Sequence, residues 1–276
     1  MALEQLNASA PPVGFVGAGR LGRALAARWY RTQRQKAPLW SRRFQNGVLD
    51  DGKGCDAFSI VSLDSVLAAE IVVAAIPNKA IGALASICAN LAQFDGVLLV
   101  AGIDLPTIDV QRFIPASVVV RIVPILLPGR DDVASLVLEP AAKDARWLNC
   151  MRVLRAMGPV YYVDDEAAFD VIMHLTSPFS VVTRVALKRA VGEFLTSKKV
   201  HPKWMPIAER VIWQALLTSP PSQGTAADSG ETEVATPGGI TEAGLREVET
   251  LSNSMLDVLS AMSRRADELR LLTNGQ

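Results

Sequence analysis

The spacing of apolar positions changes character once along the chain. From residue 13 to about 163, short runs rich in Val, Ile and Leu alternate with stretches whose apolar positions recur at helical spacing. The runs at 13–17, 38–41, 57–61, 70–76, 97–101, 118–123, 133–138 and 159–163 read as strands, and 20–34, 78–92 and 141–157 as helices. Ile71-Val72-Val73-Ala74-Ala75-Ile76 and Val97-Leu98-Leu99-Val100 are apolar at every position. A strand covered on both faces requires that, and a half-exposed one does not. The alternation predicts a doubly wound, mostly parallel sheet with helices on both faces.

After Tyr161-Tyr162-Val163 the strand signal stops. Asp164 and Asp165 offer N-cap side chains, and helices are predicted over 165–175, 179–198 and 203–218. The piece from Thr218 to Glu233 is a polar loop with two prolines. A long helix is predicted over 241–272. In it Val248, Met255, Met262 and Leu269 repeat every seven residues beside Leu245, Leu259 and Ala266. Such a stripe serves a core or a subunit interface. The expected organisation is a tail over 1–12, a sheet domain over 13–163, and a smaller all-α dimerisation domain over 164–276.

Composition narrows the class. In 276 residues, 50% are hydrophobic and the formal net charge is zero, so there is no electrostatic footprint for nucleic acid. Cys55, Cys88 and Cys150 are odd in number and lack a C-x-x-C, which predicts buried free thiols, with no disulfide framework and no metal site. Met1 to Pro12 has no basic start followed by an apolar core. No apolar run reaches the roughly 18 residues of a membrane span. These features predict a soluble protein of the cytoplasm, without membrane or nucleic-acid partners.

The chemistry starts at Val13-Gly14-Phe15-Val16-Gly17-Ala18-Gly19-Arg20-Leu21-Gly22, a strand, a glycine turn and a helix start. Gly17, Gly19 and Gly22 have G-x-G-x-x-G spacing. The first permits the turn, the second admits a pyrophosphate, and the third lets the helix lie close to the strand. The N–H groups of Ala18, Arg20 and Leu21, around the helix start, would face the phosphates. This is the opening of a Rossmann unit. In such a unit the end of the second strand selects the cofactor. Here Pro38-Leu39-Trp40-Ser41-Arg42-Arg43 ends in a hydroxyl and two guanidiniums, with no carboxylate. Arginine forks suit a 2′-phosphate, so Ser41, Arg42 and Arg43 point to NADP(H). Ala75, Ile76, Pro77, Asn78, Ala101 and Gly102 stand at the ends of predicted parallel strands, where open α/β sheets bind ligands.

Five segments, in order, carry a family likeness: Gly14-Phe15-Val16-Gly17-Ala18-Gly19, Val73-Ala74-Ala75-Ile76-Pro77, Val100-Ala101-Gly102-Ile103, Val120-Arg121-Ile122-Val123-Pro124, and Thr236-Pro237-Gly238-Gly239-Ile240-Thr241 followed by Ala243-Gly244-Leu245. With the α/β-then-all-α layout, the chain resembles the pyrroline-5-carboxylate reductase family, which reduces a cyclic imine acid to proline. The last segment looks like that family's Ser-Pro-Gly-Gly-Thr-Thr motif. The resemblance implies an NADPH-dependent reductase of a small cyclic imine or imino acid, active as a homodimer through its C-terminal helices. It implies that Pro124, Thr176, Ser177, Gly238, Gly239, Ile240 and Thr241 bind substrate, with the Thr241 hydroxyl toward the imine nitrogen. Thr236 or Thr241, with Glu242 nearby, also serves as a plain helix cap.

The chain departs from the family at three places. The family's Met-Pro-Asn-Thr-Pro is Val123-Pro124-Ile125-Leu126-Leu127 here, its Ser-Gly-Ser-Gly-Pro stretch is Leu175-Thr176-Ser177-Pro178, and Arg20 replaces Asn or Gln. A bulkier or less polar imine fits these changes. Two other readings stand beside it: reduction of a ketone or a carrier-bound imine, and NADP binding without catalysis. The two histidines, His174 and His201, sit in different helical segments; His174 reads as structural, and Lys188 as part of a solvated helix face. No G-x-S-x-G, H-E-x-x-H or Walker A pattern is present.

Overall fold

The all-apolar runs form the middle of the sheet. In the computed structural model, which describes residues 11–42, 48–49, 57–77, 79–87, 89–101, 106–115, 117–126, 133–140, 143–218 and 240–274, these runs are central parallel strands. The strands are β1 (Val13–Val16), β2 (Ala37–Trp40), β3 (Val48–Leu49), β4 (Phe58–Ile60), β5 (Ile71–Ala74), β6 (Val97–Val100), β7 (Val118–Leu126), β8 (Val133–Leu138) and β9 (Val160–Val163). Among the described residues they make one nine-stranded sheet in the order β3-β4-β2-β1-β5-β6-β7-β8-β9. From β4 to β7 all neighbours are parallel, while β3 and β8 run antiparallel to β4 and β7. The fold class read from the sequence is therefore present. β3 is an addition to the eight predicted strands. β7 also outruns its predicted end at 123, because β8 pairs with the extra residues, Leu126 opposite Val133.

The period of two sorts the strand residues into two core layers. Ile71 and Val73 of β5 and Val97 and Leu99 of β6 pack toward α1 (Arg20–Gln33) and α5 (Ala145–Met157), with Leu25, Trp29, Trp147 and Leu154. Their neighbours Val72, Ala74, Leu98 and Val100 pack on the other face. There they meet α2 (Leu63–Leu67), α3 (Lys79–Ile87) and α4 (Thr107–Gln111), with Val66, Ile81, Leu84 and Val110. Cys150 lies in the first layer, where burial pushes its thiol up to about 12, so it stays protonated and inert. Cys55 and Cys88 lie outside the described residues. Caps end the helices where the sequence allows them. Asp144 Oδ1 accepts from the N–H groups of Arg146 and Trp147 at 2.9 and 3.2 Å, and Ser62 Oγ accepts from Ser65 N–H at 3.2 Å.

Beyond β9 the chain is helical: α6 (Glu166–Ser197), α7 (Met205–Thr218), α8 (Ile240–Leu245) and α9 (Val248–Asn274). Two expectations are corrected here. The break predicted between 175 and 179 is absent. α6 runs through Pro178, which loses one intrahelical donor without ending the helix. The helix predicted over 241–272 is two helices, separated by a tight turn in which Glu247 N–H bonds the Gly244 carbonyl at 3.0 Å.

The chain divides into one unit of Met1–Met173 with Ala266–Gln276, and a second of His174–Arg265. The sequence reading divides it after 163 instead. The start of α6 belongs with the sheet because Phe169 and Met173 bury themselves against Val123, Leu136 and Leu138. Of the described hydrophobic residues between His174 and Arg265, none is buried, and Phe194, Ile207 and Val211 are more than half exposed. No helix among the described residues is long and apolar enough to cross a membrane.

Phe15, fully buried in the interior strand β1, tests the first core layer. Phe15→Ala is expected to lower unfolding free energy by about 3–5 kcal/mol, read from the urea midpoint at unchanged m-value.

Candidate functional site

The glycine turn separates what the protein needs from what it leaves open. Gly17 ends β1 with its N–H on the Trp40 carbonyl at 2.8 Å, and its φ is +107°, a conformation side chains rarely adopt. A Cβ there would strike the Ala75 carbonyl oxygen, and one on Gly22 would strike the Gly17 carbonyl oxygen. Both glycines are thus required by the fold. Gly19 is different: a Cβ on it would meet nothing within 4 Å. Packing gives no reason for its bareness, whereas the approach of a ligand does.

Gly19 is also the N-cap of α1, and it offers no side chain to the helix. The first turn of α1 holds no acidic residue, and Arg20 at its head is exposed. The orphan N–H groups and the positive end of the helix dipole face this gap, an arrangement that suits a phosphate. Ala18 is buried and Leu21 packs against the core, so neither lays a side chain over the turn, and Arg20 is the exposed side chain there.

Around the turn, four strands end level with one another. Val16 stands opposite Trp40 and Ala74, and Ala74 opposite Val100, which brings Gly17, Ser41, Ala75 and Ala101 to one edge. The Ala75 N–H bonds the Val16 carbonyl at 2.8 Å, and the Ala101 N–H bonds the Ala74 carbonyl at 3.0 Å. From β1 the chain builds β2 on one side and β5 on the other, so this edge is the topological switch point where α/β sheets hold ligands. Ser41 is buried and Arg42 exposed just past β2, while Ile76 is half-buried and Pro77 exposed just past β5. Arg43, Asn78 and Gly102 lie outside the described residues. The edge can hold a dinucleotide with its pyrophosphate on the glycine turn and an anionic ribose substituent near Ser41 and Arg42.

The residues expected to bind substrate are spread over both units. Pro124 lies in the extension of β7, half-buried, followed by half-buried Ile125 and exposed Leu126. Thr176 and Ser177 lie within α6. Gly238 and Gly239 are outside the described residues. Ile240 and Thr241 open the six-residue α8, and their side chains are likewise outside the description. His201 caps a short turn by accepting the Lys203 N–H on Nδ1 at 3.1 Å. His174 Nε2 is buried and has no hydrogen-bond partner among the described residues. Lys188 pairs with Glu209 at 3.2 Å on the exposed surface of the second unit.

A charged cluster that the sequence reading did not single out stands beside the same edge. Arg121 of β7 is opposite Val100 and is 1% exposed. Its Nη1 donates to Glu166 Oε1 at 2.8 Å and its Nη2 to Asp170 Oδ1 at 2.7 Å, and the guanidinium lies 4.9 Å from the centre of the Phe169 ring. Partial burial pushes the Glu166 carboxyl upward. The Thr107 N–H and Arg121 outweigh that effect and hold it below the usual glutamate range. One signal was legible: a lone arginine inside an apolar strand cannot stay buried without carboxylates. Which carboxylates answer it depends on where α6 packs. Among the described residues no group of three or more His, Cys, Asp or Glu is placed to hold a metal ion.

No protein-family model and no curated protein matches this sequence. Solved structures do. A pyrroline carboxylate reductase from Plasmodium falciparum, crystallised with NADP bound, is similar at TM-score 0.73 and 13% identity, over 95% of this chain and 99% of that one. A pyrroline-5-carboxylate reductase from Coxiella burnetii is similar at TM-score 0.73 and 18% identity, over 94% and 98%. A reductive aminase from Aspergillus terreus, in complex with NADPH and ethyl-5-oxohexanoate, is similar at TM-score 0.55 and 12% identity, over 95% of each chain. At these identities the likeness is one of fold, and it extends over nearly the whole chain.

Proposed function

We propose that this protein is an NADPH-dependent reductase of a small imine, with residues 13–163 as the cofactor domain and 164–276 as a substrate and dimerisation domain, acting in the cytoplasm. The open face at Gly19, at the uncapped start of α1, is the observation that carries the reading. The backbone from Gly17 to Gly22 holds the pyrophosphate, and Ser41, Arg42 and Arg43 hold the 2′-phosphate. Ala75, Ile76, Pro77, Asn78, Ala101 and Gly102 give the nicotinamide ribose room along the strand ends. When bound, the reduced nicotinamide supplies the hydride for the C=N carbon. Pro124, Thr176, Ser177, Gly238, Gly239 and Ile240 shape the substrate pocket, and the Thr241 hydroxyl hydrogen-bonds the imine nitrogen. The solved structures of similar fold that carry NADP or NADPH support this reading. Apolar Ile125 and Leu126 favour a substrate bulkier and less polar than pyrroline-5-carboxylate, and they support a ketone or carrier-bound imine as the second reading.

Exposed apolar faces in the second unit support a homodimer. Helices are stabilised mainly by burying an apolar face, and here such faces stand exposed on α6, α7 and α9. A second copy of the chain covers them. The wild type is expected to sediment as a dimer. A Val185→Lys, Val211→Lys variant is expected to shift toward monomer, whereas an unchanged sedimentation coefficient would exclude those faces.

Catalysis is checked by following NADPH absorbance against pyrroline and piperideine carboxylates and their uncharged analogues. Turnover is expected, with NADPH preferred over NADH by about tenfold or more. Arg42→Ala, Arg43→Ala should erase the preference, and a panel with neither turnover nor coenzyme binding would end the proposal. The glycines provide a separate check. Gly19→Ala is expected to keep stability within about 1 kcal/mol of wild type while weakening NADPH binding. Gly22→Ala is expected to cost more than about 2 kcal/mol, because backbone and not ligand occupies its space.

A further inference from the structure

The formal net charge of zero is a sum over the whole chain, and it hides a local separation of charge. α1 and α5 lie side by side on one face of the sheet. They are tied by Arg28 Nε, which donates to the Met157 carbonyl at 3.0 Å. Neither helix contains an aspartate or a glutamate. Asp144, the N-cap of α5, is taken by Arg146 at 2.8 Å. Arginines recur three residues apart, at 28, 31 and 34 along and just past α1, and at 152 and 155 in α5. Arg34, Arg152 and Arg155 are exposed, and Arg28 and Arg31 are half-buried.

Helix stability does not call for this pattern. Like charges three positions apart repel one another, and each such pair weakens its helix. A cation in the last turn suits the helix dipole, which accounts for Arg31 and Arg155. It does not account for Arg152, nor for the exclusion of acidic residues from both helices. Arg34 keeps its side chain at a left-handed φ of +56°, where glycine would be unstrained.

An aromatic ring stands beside these arginines. Tyr162 of β9 is on the same side of its strand as Val160, which packs in the layer of α1 and α5, and it is 38% exposed. The Arg155 guanidinium lies 5.9 Å from the ring centre. Its Nε and Nη2 donate to the Tyr162 hydroxyl at 3.2 and 3.0 Å. Planar guanidiniums take the phosphates of a flexible phosphodiester chain, and an exposed ring takes an unpaired base. Carboxylates of an acidic protein would answer the arginines equally, so the ring decides between the two: base stacking uses it and carboxylate pairing does not.

We propose that the outer face of α1 and α5, with Tyr162, binds single-stranded nucleic acid. Arg34, Arg152, Arg155 and Tyr162 have no part in the dinucleotide site proposed above, so the two readings stand or fall separately.

Fluorescence anisotropy of end-labelled oligouridylate and oligodeoxythymidylate of about 16 nucleotides tests this on the full chain. Excess NADPH is present throughout to occupy the dinucleotide site. Both single strands are expected to bind, with log affinity falling against log salt at a slope of about −2, for about three neutralised phosphates. A difference between the two strands tells RNA from DNA as the source, and either order supports the proposal. Arg152→Glu, Arg155→Glu is expected to weaken binding by about tenfold or more and to flatten the slope by about 1. Tyr162→Ala is expected to weaken it by about fivefold or more at unchanged slope, and Tyr162→Phe to keep most of the affinity. Should the double variant fail to fold, Arg34→Gly decides, with an expected loss of about threefold. No binding at low salt would overturn the proposal, as would affinity unchanged in the arginine variants. Tyr162→Ala without effect, or polyglutamate displacing the strands as well as unlabelled RNA does, would mark a surface for an acidic protein and overturn it too.

Discussion

The close approach of α1 to β1 is the constraint on which the candidate site depends. With a side chain at Gly22, the first turn of the helix could not rest against the Gly17 carbonyl. With a side chain at Gly17, the turn would be driven into the end of β5. These two contacts set the direction in which α1 starts, and hence where its unsatisfied N–H groups point. The level ending of β1, β2, β5 and β6 then makes a shelf beside that helix start. Gly19 contributes by taking up no space on it.

Charge is handled at the neighbouring strand ends by enclosure. Arg121 sits in a strand whose surroundings are otherwise apolar, and a lone guanidinium there would cost far more than packing could offset. Glu166 and Asp170, one helical turn apart, present their carboxylates to it from the same face of α6. The result is a rigid polar joint between α6, β7 and α4, made from groups that are unfavourable singly and acceptable together. Phe169, between the two carboxylates in sequence, seals the joint and extends it into the apolar cluster with Met173.

The second unit follows the opposite logic. Among its described side chains no hydrophobic one is buried, and apolar faces on its helices stand exposed. The heptad-like spacing of Val248, Met255 and Met262 agrees with a long seam and does not say against what. Met255 and Met262 are half-buried, and Val248 is exposed.

Sheet class, strand positions and the glycine turn were legible in the residues because each rests on local rules. Apolar period distinguishes strand from helix, and G-x-G-x-x-G between a strand and a helix has few uses. Local rules also produced the errors. A proline in 165–198 read as a break, yet α6 continues through Pro178, since the packing of Phe169 and Met173 anchors its first turns to the sheet. The same packing places the first turns of α6 in the unit that holds the sheet, which runs to Met173. The pairing of Arg121 with residues 45 and 49 positions away, and the capping of α4 by Glu166, were beyond any local rule. Such contacts join groups distant along the chain, and only the packed sheet and helices choose among the carboxylates on offer.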